Sequence, residues 1–344
     1  MAYDVTIGIP VYNAERYIRP TMDSALAQTF PNIEFLILDD CGSDSSIDIV
    51  RDYQLNHSRG KDIRIVRQPQ NGGVGRARNR IIEEARGRYL YYLDADDVIV
   101  PQAIELLHQA AITCDADIVY GSYERIEELE GDTHKTQFRY PREQFLDDNA
   151  FANRAYSDYS WLQATTWNLL VKTEILIKNR LRFIPVNYWE DFAFTIDLPT
   201  YVTRAVLLPD VTYSYYCRYG SLSNFNKRDR IEKSEIQGTI GAMSQVKLHS
   251  NRLKDKPYFH KRMYKVMLTH FYMACAILKQ EDKITPAFTK REIRDVMRSP
   301  LSLSQTLALK GWRLRNACLC LLGILPPAVS VAVMRLVGRR KGLV

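Results

Sequence analysis

The sequence predicts an α/β fold whose first third builds a doubly wound, mostly parallel sheet. Short apolar runs alternate with helical patterns through this part of the chain, and such alternation is typical of βαβ units. Glycine, proline, asparagine and aspartate residues cluster between these elements, near the predicted ends of strands, where they favour turns. We therefore expect parallel strands whose carboxyl ends meet at one edge of a sheet.

The apolar runs and helical periodicities define the elements in order. Predicted strands occupy residues 5–11, 34–38, 63–67, 89–93 and 117–120. Predicted helices occupy residues 14–29, 45–56, 75–85 and 101–113. The run at 89–93 is apolar and aromatic throughout, which is typical of a strand buried on both faces of the sheet.

The remaining two thirds of the chain predict three further kinds of region. Residues 124–151 are polar and irregular and indicate a connection or a flap, residues 152–219 are rich in aromatic side chains, and residues 228–296 carry helical patterns. These changes in composition divide the chain at 1–122, 123–225, 226–300 and 301–344. We expect the third part to be helical and the fourth to be an amphipathic, basic tail.

An uncharged stretch of 18 residues, 317–334, lies between basic residues near the carboxyl terminus. A helix needs about 20 apolar residues to cross a bilayer, and Gly323 and the Pro326-Pro327 pair interrupt this stretch. A broken apolar segment with basic flanks favours an anchor that lies in the membrane interface. The alternative is a pair of helices packed on the protein's own core.

The formal net charge of +7 and the pI of about 9.0 indicate an anionic partner, either nucleic acid or a membrane surface. No nucleic-acid-binding motif appears, whereas the basic residues of the tail surround its apolar stretch. We therefore expect an anionic membrane surface and no nucleic acid. The six cysteines lack metal-site spacing and the amino terminus lacks a secretory signal, so we expect reduced thiols in the cytoplasm.

Three carboxylates, Asp94, Asp96 and Asp97, follow the strand predicted at 89–93. Open α/β sheets bind ligands at this edge. Closely spaced carboxylates repel one another unless they share a cation, so one interpretation is a divalent metal that holds an anionic ligand. The alternative is a solvated acidic turn that caps the next helix.

Five segments in order resemble the inverting, GT-A-type glycosyltransferases of family 2, over about residues 4–225. They are an opening strand and turn at 5–13, an acidic turn at 38–44, a glycine-rich loop and helix at 71–79, a DxD motif at 94–96 and an ED motif at 190–191. With the tail, this predicts a GT-A-type, Rossmann-like mixed sheet and a C-terminal helical extension that associates with a membrane. The resemblance implies that residues 1–122 bind a nucleotide sugar and that residues 123–225 supply the acceptor site and the catalytic base.

The resemblance implies a UDP-sugar as donor. Tyr12 would lie against the nucleobase and Asp40 would accept its imino proton, although turn chemistry alone also accounts for Tyr12. For Arg78, the alternative to a nucleotide contact is a solvated position on an amphipathic helix. The residues implied to bind the donor are Pro10, Val11, Tyr12, Asn13, Asp39, Asp40, Gly73, Arg78, Asp94, Ala95, Arg218 and Ser221.

The two acidic motifs supply the chemistry that the resemblance implies. Asp96 would be the direct metal ligand and Asp94 would reach the metal or the ribose, and a set of oxygen ligands favours Mg²⁺ or Mn²⁺ over zinc. Asp191 would be the general base for the acceptor hydroxyl, with Glu190 and Trp189 as acceptor-binding residues beside it. The alternative for both acids is the start of a helix, whose dipole stabilises negative charge.

Three other functions fit the sequence less well. A nicotinamide-dependent oxidoreductase is disfavoured because Arg78 stands where the dinucleotide fingerprint requires its third glycine. A processive polysaccharide synthase is disfavoured because no QxxRW sequence follows Glu190 and no pattern of several membrane spans exists. The third is a non-catalytic relative that binds a nucleotide sugar as a membrane scaffold, against which the presence of all the acids counts.

The sequence therefore predicts an enzyme that transfers one sugar, with inversion, from a UDP-sugar to a hydroxyl group of a saccharide acceptor. The basic, broken apolar tail and the resemblance together favour a lipid-linked acceptor in the synthesis of a bacterial surface polysaccharide. We expect the protein in the cytoplasm, bound peripherally to the inner face of the plasma membrane.

Overall fold

The computed structural model describes residues 3–129, 132–158, 162, 165–186, 189–217 and 229–344. The chain forms two compact units. Unit 1 consists of Met1–Phe151, Ala164–Pro185 and Leu198–Asn224, and unit 2 of Ala152–Gln163, Val186–Asp197 and Phe225–Val344. Unit 2 therefore takes two short segments from the middle of the chain as well as the whole C-terminal part.

Strands are concentrated in the first part of the chain and helices in the second. In chain order the strands are β1 (Tyr3–Val11), β2 (Ile33–Asp39), β3 (Ile63–Arg67), β4 (Gly87–Tyr92), β5 (Val98–Ile99), β6 (Ile118–Leu129), β7 (Asp132–Phe138), β8 (Glu143–Phe145), β9 (Leu169–Lys172), β10 (Ala205–Cys217), β11 (Ile231–Glu232) and β12 (Ile284–Thr285). The helices are α1 (Ile18–Leu26), α2 (Ser46–Asn56), α3 (Val74–Glu84), α4 (Ala103–Thr113), α5 (Ala150–Ala155), α6 (Thr173–Lys178), α7 (Glu190–Asp197), α8 (Lys233–Ser250), α9 (Phe259–Lys279), α10 (Lys290–Val296), α11 (Leu303–Leu307), α12 (Arg313–Leu322) and α13 (Pro327–Arg340).

The large sheet belongs to unit 1 and is mixed. Its order is β3-β2-β1-β4-β9-β6-β10-β5, with β7 beside β6 and β8 beside β10. The first four strands in this order are parallel, whereas β9 runs antiparallel to both β4 and β6. The predicted parallel arrangement is confirmed for β1 to β4, whereas β5 pairs antiparallel with β10. Because β1 lies between β2 and β4, the loops that follow these three strands meet at one edge of the sheet.

Strand β4 is buried on both faces, as its aromatic run predicts. Its three tyrosine rings are almost completely inaccessible to solvent, and a buried hydroxyl requires a hydrogen-bond partner. Tyr91 donates to the Asn168 side-chain oxygen at 3.1 Å and Tyr92 donates to the Arg78 carbonyl at 3.0 Å. The strand that leads to the acidic turn is therefore fixed by polar as well as apolar contacts.

The expectation that residues 124–151 are irregular is wrong, whereas their role as a connection or a flap stays a prediction. Strand β6 continues to Leu129 and pairs with the antiparallel strand β7, and the rings of Tyr123 and Phe138 stack at 4.8 Å across this pair. The side chains at 133–137 are exposed, so β7 has no buried face. Its sequence therefore lacks the apolar alternation by which a half-buried strand is recognised.

Unit 2 is built around helix α9. Helices α8, α10, α12 and α13 all pack against α9, whose buried side chains include Met263, Val266 and Phe271. The prediction that residues 228–296 are largely helical is confirmed by α8, α9 and α10. A short parallel pair, β11 and β12, completes the unit.

The uncharged stretch at 317–334 forms the second half of α12 and the first half of α13. A break separates the two helices at Gly323, where an added Cβ atom would lie 2.5 Å from the Met297 carbonyl oxygen. Leu319, Leu322 and Met334 are buried in unit 2, so part of this stretch packs on the protein's own core. Over the described part of the chain, each helix is too short or too polar to cross a membrane.

Candidate active site

The loops after β1 and β2 are joined by side-chain hydrogen bonds. Asn13, with a φ of 50°, accepts a hydrogen bond from the Ser43 amide at 2.8 Å, and the Ala14 amide donates to the Ser46 hydroxyl at 2.8 Å. A Cβ atom at position 42 would lie 2.9 Å from Asn13 atoms, so glycine is required there for this close approach. The two loops therefore form one rigid edge.

The predicted donor residues of the first loop differ in their exposure. Pro10 and Val11 end β1 and pair in register with Leu38 and Asp39 of β2. Tyr12 directly follows the strand and is 52% exposed. An aromatic ring at the carboxyl edge of the sheet with one half open to solvent is suited to stack on a planar ligand.

The Asp40 carboxylate binds the glycine-rich loop. It is 2% exposed and accepts hydrogen bonds from the amides of Gly72 and Gly73, at 2.8 and 2.9 Å, and from the Gln68 side chain at 2.9 Å. Asp39 accepts from the Cys41 amide at 2.9 Å. Each carboxylate oxygen of Asp40 therefore has a hydrogen-bond partner within the protein. The sequence did not indicate this structural role, and the contact of Asp40 with a nucleobase stays a prediction.

Arg78 of α3 is buried and paired with the acidic turn. Its side chain is 3% exposed, its guanidinium lies 3.0 Å from the Asp94 carboxylate, and it lies over the Phe183 ring at 5.6 Å. The neighbouring Asn79 side chain exchanges two hydrogen bonds with the Phe183 backbone, at 2.8 and 2.7 Å. The alternative of a solvated surface arginine is therefore wrong, and Arg78 instead orients Asp94.

The acidic turn presents its carboxylates differently. Asp94 and Asp96 are partly exposed, whereas Ala95 and Asp97 are buried. Asp97 accepts hydrogen bonds from the Tyr213 hydroxyl at 2.7 Å and from the Tyr216 amide at 2.8 Å. Burial, followed by the charges of Asp94 and Asp96, raises the pKa of Asp97 to about 8. Asp97 therefore fastens the turn to β10 and does not cap α4, whose N-cap is Gln102.

The carboxylates of Asp94 and Asp96 fit a hard divalent cation. Magnesium in particular is commonly held by one or two protein carboxylates, with phosphate and water oxygens completing the coordination. Among the described residues, no group of three or more histidine, cysteine, aspartate or glutamate side chains is arranged to hold a metal ion by itself. The assignment of a divalent ion to Asp94 and Asp96 stays a prediction.

A cluster of aromatic side chains supports the strand that Asp97 binds. The Trp167 ring stacks on Tyr213 at 4.5 Å and on Tyr215 at 5.3 Å. The adjacent Asn168 side chain donates to the Gly121 and Ser122 carbonyls, at 2.8 and 2.9 Å. Sequence reasoning did not identify these supporting roles, because a tryptophan next to an asparagine carries no motif of its own.

The ED motif begins helix α7, in unit 2. Trp189 precedes the helix with a φ of 61° and is 38% exposed. Glu190 is 9% exposed and Asp191 lies in the first helical turn, where both acids face the positive end of the helix dipole. This position fits the predicted base and equally fits the helix-start alternative, so the role of Asp191 stays a prediction. Arg218 and Ser221 lie outside the described residues.

Comparison with known proteins identifies the family. Residues 6–173 match the family described as Glycosyl transferase family 2. The chain is 26% identical over 265 residues to the uncharacterized glycosyltransferase YibD of Escherichia coli K12, covering 75% of this chain and 76% of YibD. It is 41% identical over 93 residues to the putative teichuronic acid biosynthesis glycosyltransferase TuaG of Bacillus subtilis, covering 27% and 36% of the two chains.

Two solved structures show the same fold at low sequence identity. Residues 1–349 of S. aureus TarS in complex with UDP-GlcNAc align with a TM-score of 0.67 and 17% identity, over 93% of this chain and 90% of the other. The mannosyltransferase PcManGT of Pyrobaculum calidifontis, in complex with GDP-Man and Mn²⁺, aligns with a TM-score of 0.52 and 17% identity, over 98% and 88%. The predicted family is confirmed over residues 6–173, which carry a glycosyl transferase family 2 domain.

Proposed function

We propose that this glycosyltransferase moves a single sugar, with inversion, from a UDP-sugar to a hydroxyl group of a saccharide acceptor. The observation that carries the proposal is the acidic turn of Asp94 and Asp96, held by Arg78 beside the loops that follow β1 and β2. Ligands of open α/β sheets bind at this edge. The Tyr12 ring and the Asp94 and Asp96 carboxylates at this edge are proposed to contact the nucleoside diphosphate of the donor.

UDP is the proposed nucleotide of the donor. The half-exposed ring of Tyr12 is suited to the base, and the loop that Asp40 binds presents Gly73 at the same edge. Arg218 and Ser221, which follow β10 in the chain, are proposed to bind the diphosphate. TarS, which shares the fold, forms a complex with UDP-GlcNAc, and this supports a uridine nucleotide here.

Asp96, with Asp94, is proposed to hold Mg²⁺ or Mn²⁺ together with the donor. Their oxygen ligands match the preference of these ions, and the Mn²⁺ complex of PcManGT supports the assignment. When bound, such an ion acts as a Lewis acid that neutralises charge on the departing diphosphate. The proposed role of Arg78 is to fix the orientation of Asp94, because the Arg78 side chain is almost completely buried and pairs with the Asp94 carboxylate.

Asp191 is proposed as the general base. Its carboxylate takes the proton of the acceptor hydroxyl while that oxygen attacks the anomeric carbon from the side opposite the diphosphate. The bond between the anomeric carbon and the diphosphate oxygen breaks in the same step, so the configuration inverts. A placed base contributes roughly 10²–10⁴-fold to such a reaction. Glu190 and the exposed face of Trp189 are proposed to bind the acceptor sugar.

The acceptor is proposed to be lipid-linked, in bacterial surface polysaccharide synthesis at the inner face of the plasma membrane. The name of TuaG, a relative over 93 residues, refers to teichuronic acid biosynthesis, which supports a polysaccharide product. The basic residues that surround the apolar stretch of the tail support an acceptor presented at an anionic membrane surface.

Release of UDP from a panel of UDP-sugars, with Mn²⁺ or Mg²⁺, tests the proposal. We expect one donor to be turned over slowly without an acceptor, and we expect Asp96→Ala to abolish this release. Asp255→Ala, which removes an exposed carboxylate of unit 2, is the matched control and is expected to retain wild-type release. Absence of release from every donor, together with no detectable binding of UDP by the wild type, would contradict the proposal.

A further inference from the structure

The positive charge of the chain is concentrated at its carboxyl end. Residues 296–344 contain 8 of the 47 basic residues and none of the 40 acidic residues, so residues 1–295 carry 39 basic and 40 acidic side chains. The net charge of the protein therefore resides in the region of α11, α12 and α13. A local excess of this size attracts anionic surfaces.

Helices α12 and α13 each present an apolar stripe to solvent. On α12, Leu314, Cys318 and Leu321 are exposed at spacings of four and three residues, and on α13, Val329 and Leu336 are exposed seven residues apart. Side chains with these spacings lie on one face of a helix. Leu314 is 69% exposed and Leu336 is 56% exposed, so the two stripes are not covered by unit 2.

The segment between the two helices extends the apolar surface. Ile324, in the break between α12 and α13, is 56% exposed. The opposite faces of both helices are buried in unit 2, as Leu319, Leu322 and Val331 show. Each helix therefore has two apolar faces. One face packs against α9 or α10, and the other is exposed to solvent.

Exposed basic side chains lie at the far end of each helix. Arg313 and Arg315 lie in the first turn of α12, while Arg339 and Arg340 end α13 and Lys341 follows it as the C-cap. The Arg315 guanidinium lies 4.8 Å from the Trp312 ring, a cation–π contact that places an aromatic ring beside a cation. Arg335, in contrast, is paired with Glu281 and is not counted in this surface.

We propose that the exposed stripes of α12 and α13 dock on an anionic lipid bilayer. Leu314, Leu321, Ile324, Val329 and Leu336 enter the interfacial layer, and the basic residues at the helix ends bind lipid headgroups. The inference extends the proposed function by assigning its membrane contact to a defined surface. The charged ends of long arginine and lysine side chains can reach headgroups while their methylene groups contact apolar surface.

Charge complementarity selects a bilayer over two other occupants. A second copy of the chain on the same surface would bring two sets of basic residues together without acidic partners, which is repulsive. Nucleic acid would satisfy the charge, but it would leave the leucine and isoleucine side chains without apolar contacts. An anionic bilayer offers both negative headgroups and a hydrocarbon boundary.

Co-sedimentation of the full chain with lipid vesicles, in the absence of any donor, tests the proposal. We expect binding to vesicles that contain phosphatidylglycerol, weak binding to pure phosphatidylcholine, and weaker binding at high salt because screening shortens the range of the charges. Truncation is unsuitable because α12 and α13 cover buried side chains of unit 2. Point variants keep those contacts.

Two double variants separate the contributions of charge and apolar contact. Arg339→Glu with Arg340→Glu is expected to lower vesicle partitioning by roughly 25-fold or more, from about fivefold for each basic residue lost near an anionic surface. Leu321→Glu with Ile324→Glu is expected to reduce binding at every salt concentration. The matched controls are Lys254→Glu with Lys256→Glu, and Leu55→Glu, which change exposed residues elsewhere; both are expected to bind as the wild type does.

The outcomes distinguish this inference from the proposed chemistry. UDP release in solution should be unchanged in both double variants, so loss of vesicle binding with retained release supports the docking surface. No binding of the wild type to anionic vesicles, or binding by both double variants that equals that of the wild type, would overturn it. Dimerisation of the wild type that Leu321→Glu abolishes, or tight binding to a DNA or RNA oligonucleotide, would assign the surface to another partner and would overturn it too.

Discussion

The aspartates at the sheet edge of unit 1 and helix α7 of unit 2, which carries the predicted base, are held in place in different ways. In unit 1, three aspartates that follow β2 or β4 are fixed by groups of other segments: Asp40 by the amides of Gly72 and Gly73, Asp94 by Arg78 of α3, and Asp97 by Tyr213 of β10. Helix α7 is held by its carboxyl-terminal end, where Asp197 pairs with Arg262 of α9. Asp40 and Asp94 are therefore supported by residues of the glycine-rich segment 71–79, which is itself one of the motifs, whereas α7 is supported by a residue outside any motif.

The Arg262 side chain is completely buried and uses its whole guanidinium group. It donates to the Ser250 hydroxyl at 3.0 Å, to the Tyr156 hydroxyl at 2.7 Å and to the Ile196 carbonyl at 2.8 Å, as well as to Asp197. A buried charge is tolerated only when it is paired and its remaining donors are satisfied. The predicted base, Asp191, lies on the helix that this network anchors.

The largest expected effect comes from removing this anchor. Arg262→Met removes a completely buried cation from the Asp197 carboxylate, which still contacts His249 at 2.8 Å. The change is expected to lower the free energy of unfolding by about 3–5 kcal/mol. Denaturant unfolding measures the change. Arg252→Met, at an exposed position of the same unit, is the control and is expected to stay within about 0.5 kcal/mol of the wild type. A loss below about 1 kcal/mol for Arg262→Met would show that α7 does not depend on the network.

A smaller effect is expected in the contact between the acidic turn and β10. Tyr213→Phe keeps the ring that stacks on Trp167 but removes a hydrogen-bond donor from the buried Asp97 carboxyl group. The expected loss is about 1–3 kcal/mol of unfolding free energy, together with weaker metal-dependent binding of UDP. Tyr123→Phe, on the neighbouring strand β6 of the same sheet, is the control. Equal behaviour of the two variants would exclude a special role for the Tyr213 hydroxyl.

The same substitution at two glycines should have opposite effects in the two units. Gly73, with φ of 78° and ψ of 163°, has a conformation that is essentially confined to glycine, so Gly73→Ala is expected to cost about 1–3 kcal/mol. Gly241 lies inside α8, and Gly241→Ala is expected to stabilise by about 1 kcal/mol. An added Cβ atom meets nothing within 4 Å at either position. Thermal unfolding measures both, and a loss at Gly241 or a gain at Gly73 would contradict the backbone argument.

The smallest expected effect is a pH dependence of the α7 anchor. Burial opposes ionisation of Asp197, but Arg262 and His249 hold its pKa below the usual value of 3.8. A carboxyl group with a lowered pKa in the folded state stabilises the fold above its unfolded pKa and loses that contribution as pH falls through the folded value. The difference in unfolding free energy between wild type and Asp197→Asn should therefore shrink below about pH 4. A difference that stays constant down to pH 3 would contradict this assignment.

Structural features that depend on residues adjacent in the chain could be predicted from the sequence. Features that depend on contacts between distant residues could not. The strands β1 to β4 and the acidic turn follow from apolar runs and turn residues that are adjacent in the chain. Strand β7 was missed because its exposed side chains leave no apolar alternation. Arg262 was missed because an arginine in a helical pattern resembles a solvated residue, and its burial depends on Asp197, which lies 65 residues earlier.

The candidate site shows the same division. Asp94 and Asp96 are identified by their spacing, and Asp191 by its place in the ED motif. The contacts of Asp40 with the glycine-rich loop and of Asp97 with β10 join segments 32 and 119 residues apart, and no local pattern announces them. The donor-binding roles of these residues still rest on the resemblance and on the proposed function.

Calorimetry of UDP binding with Mn²⁺, comparing Asp96→Ala with Asp191→Asn, tests the proposed division between donor and acceptor functions most directly. We predict that Asp96→Ala loses the Mn²⁺-dependent part of the affinity, while Asp191→Asn binds UDP as the wild type does and is defective only in transfer to an acceptor. Wild-type affinity in Asp96→Ala, or an equal loss in both variants, would contradict the assignment of the metal-dependent donor contact to the acidic turn.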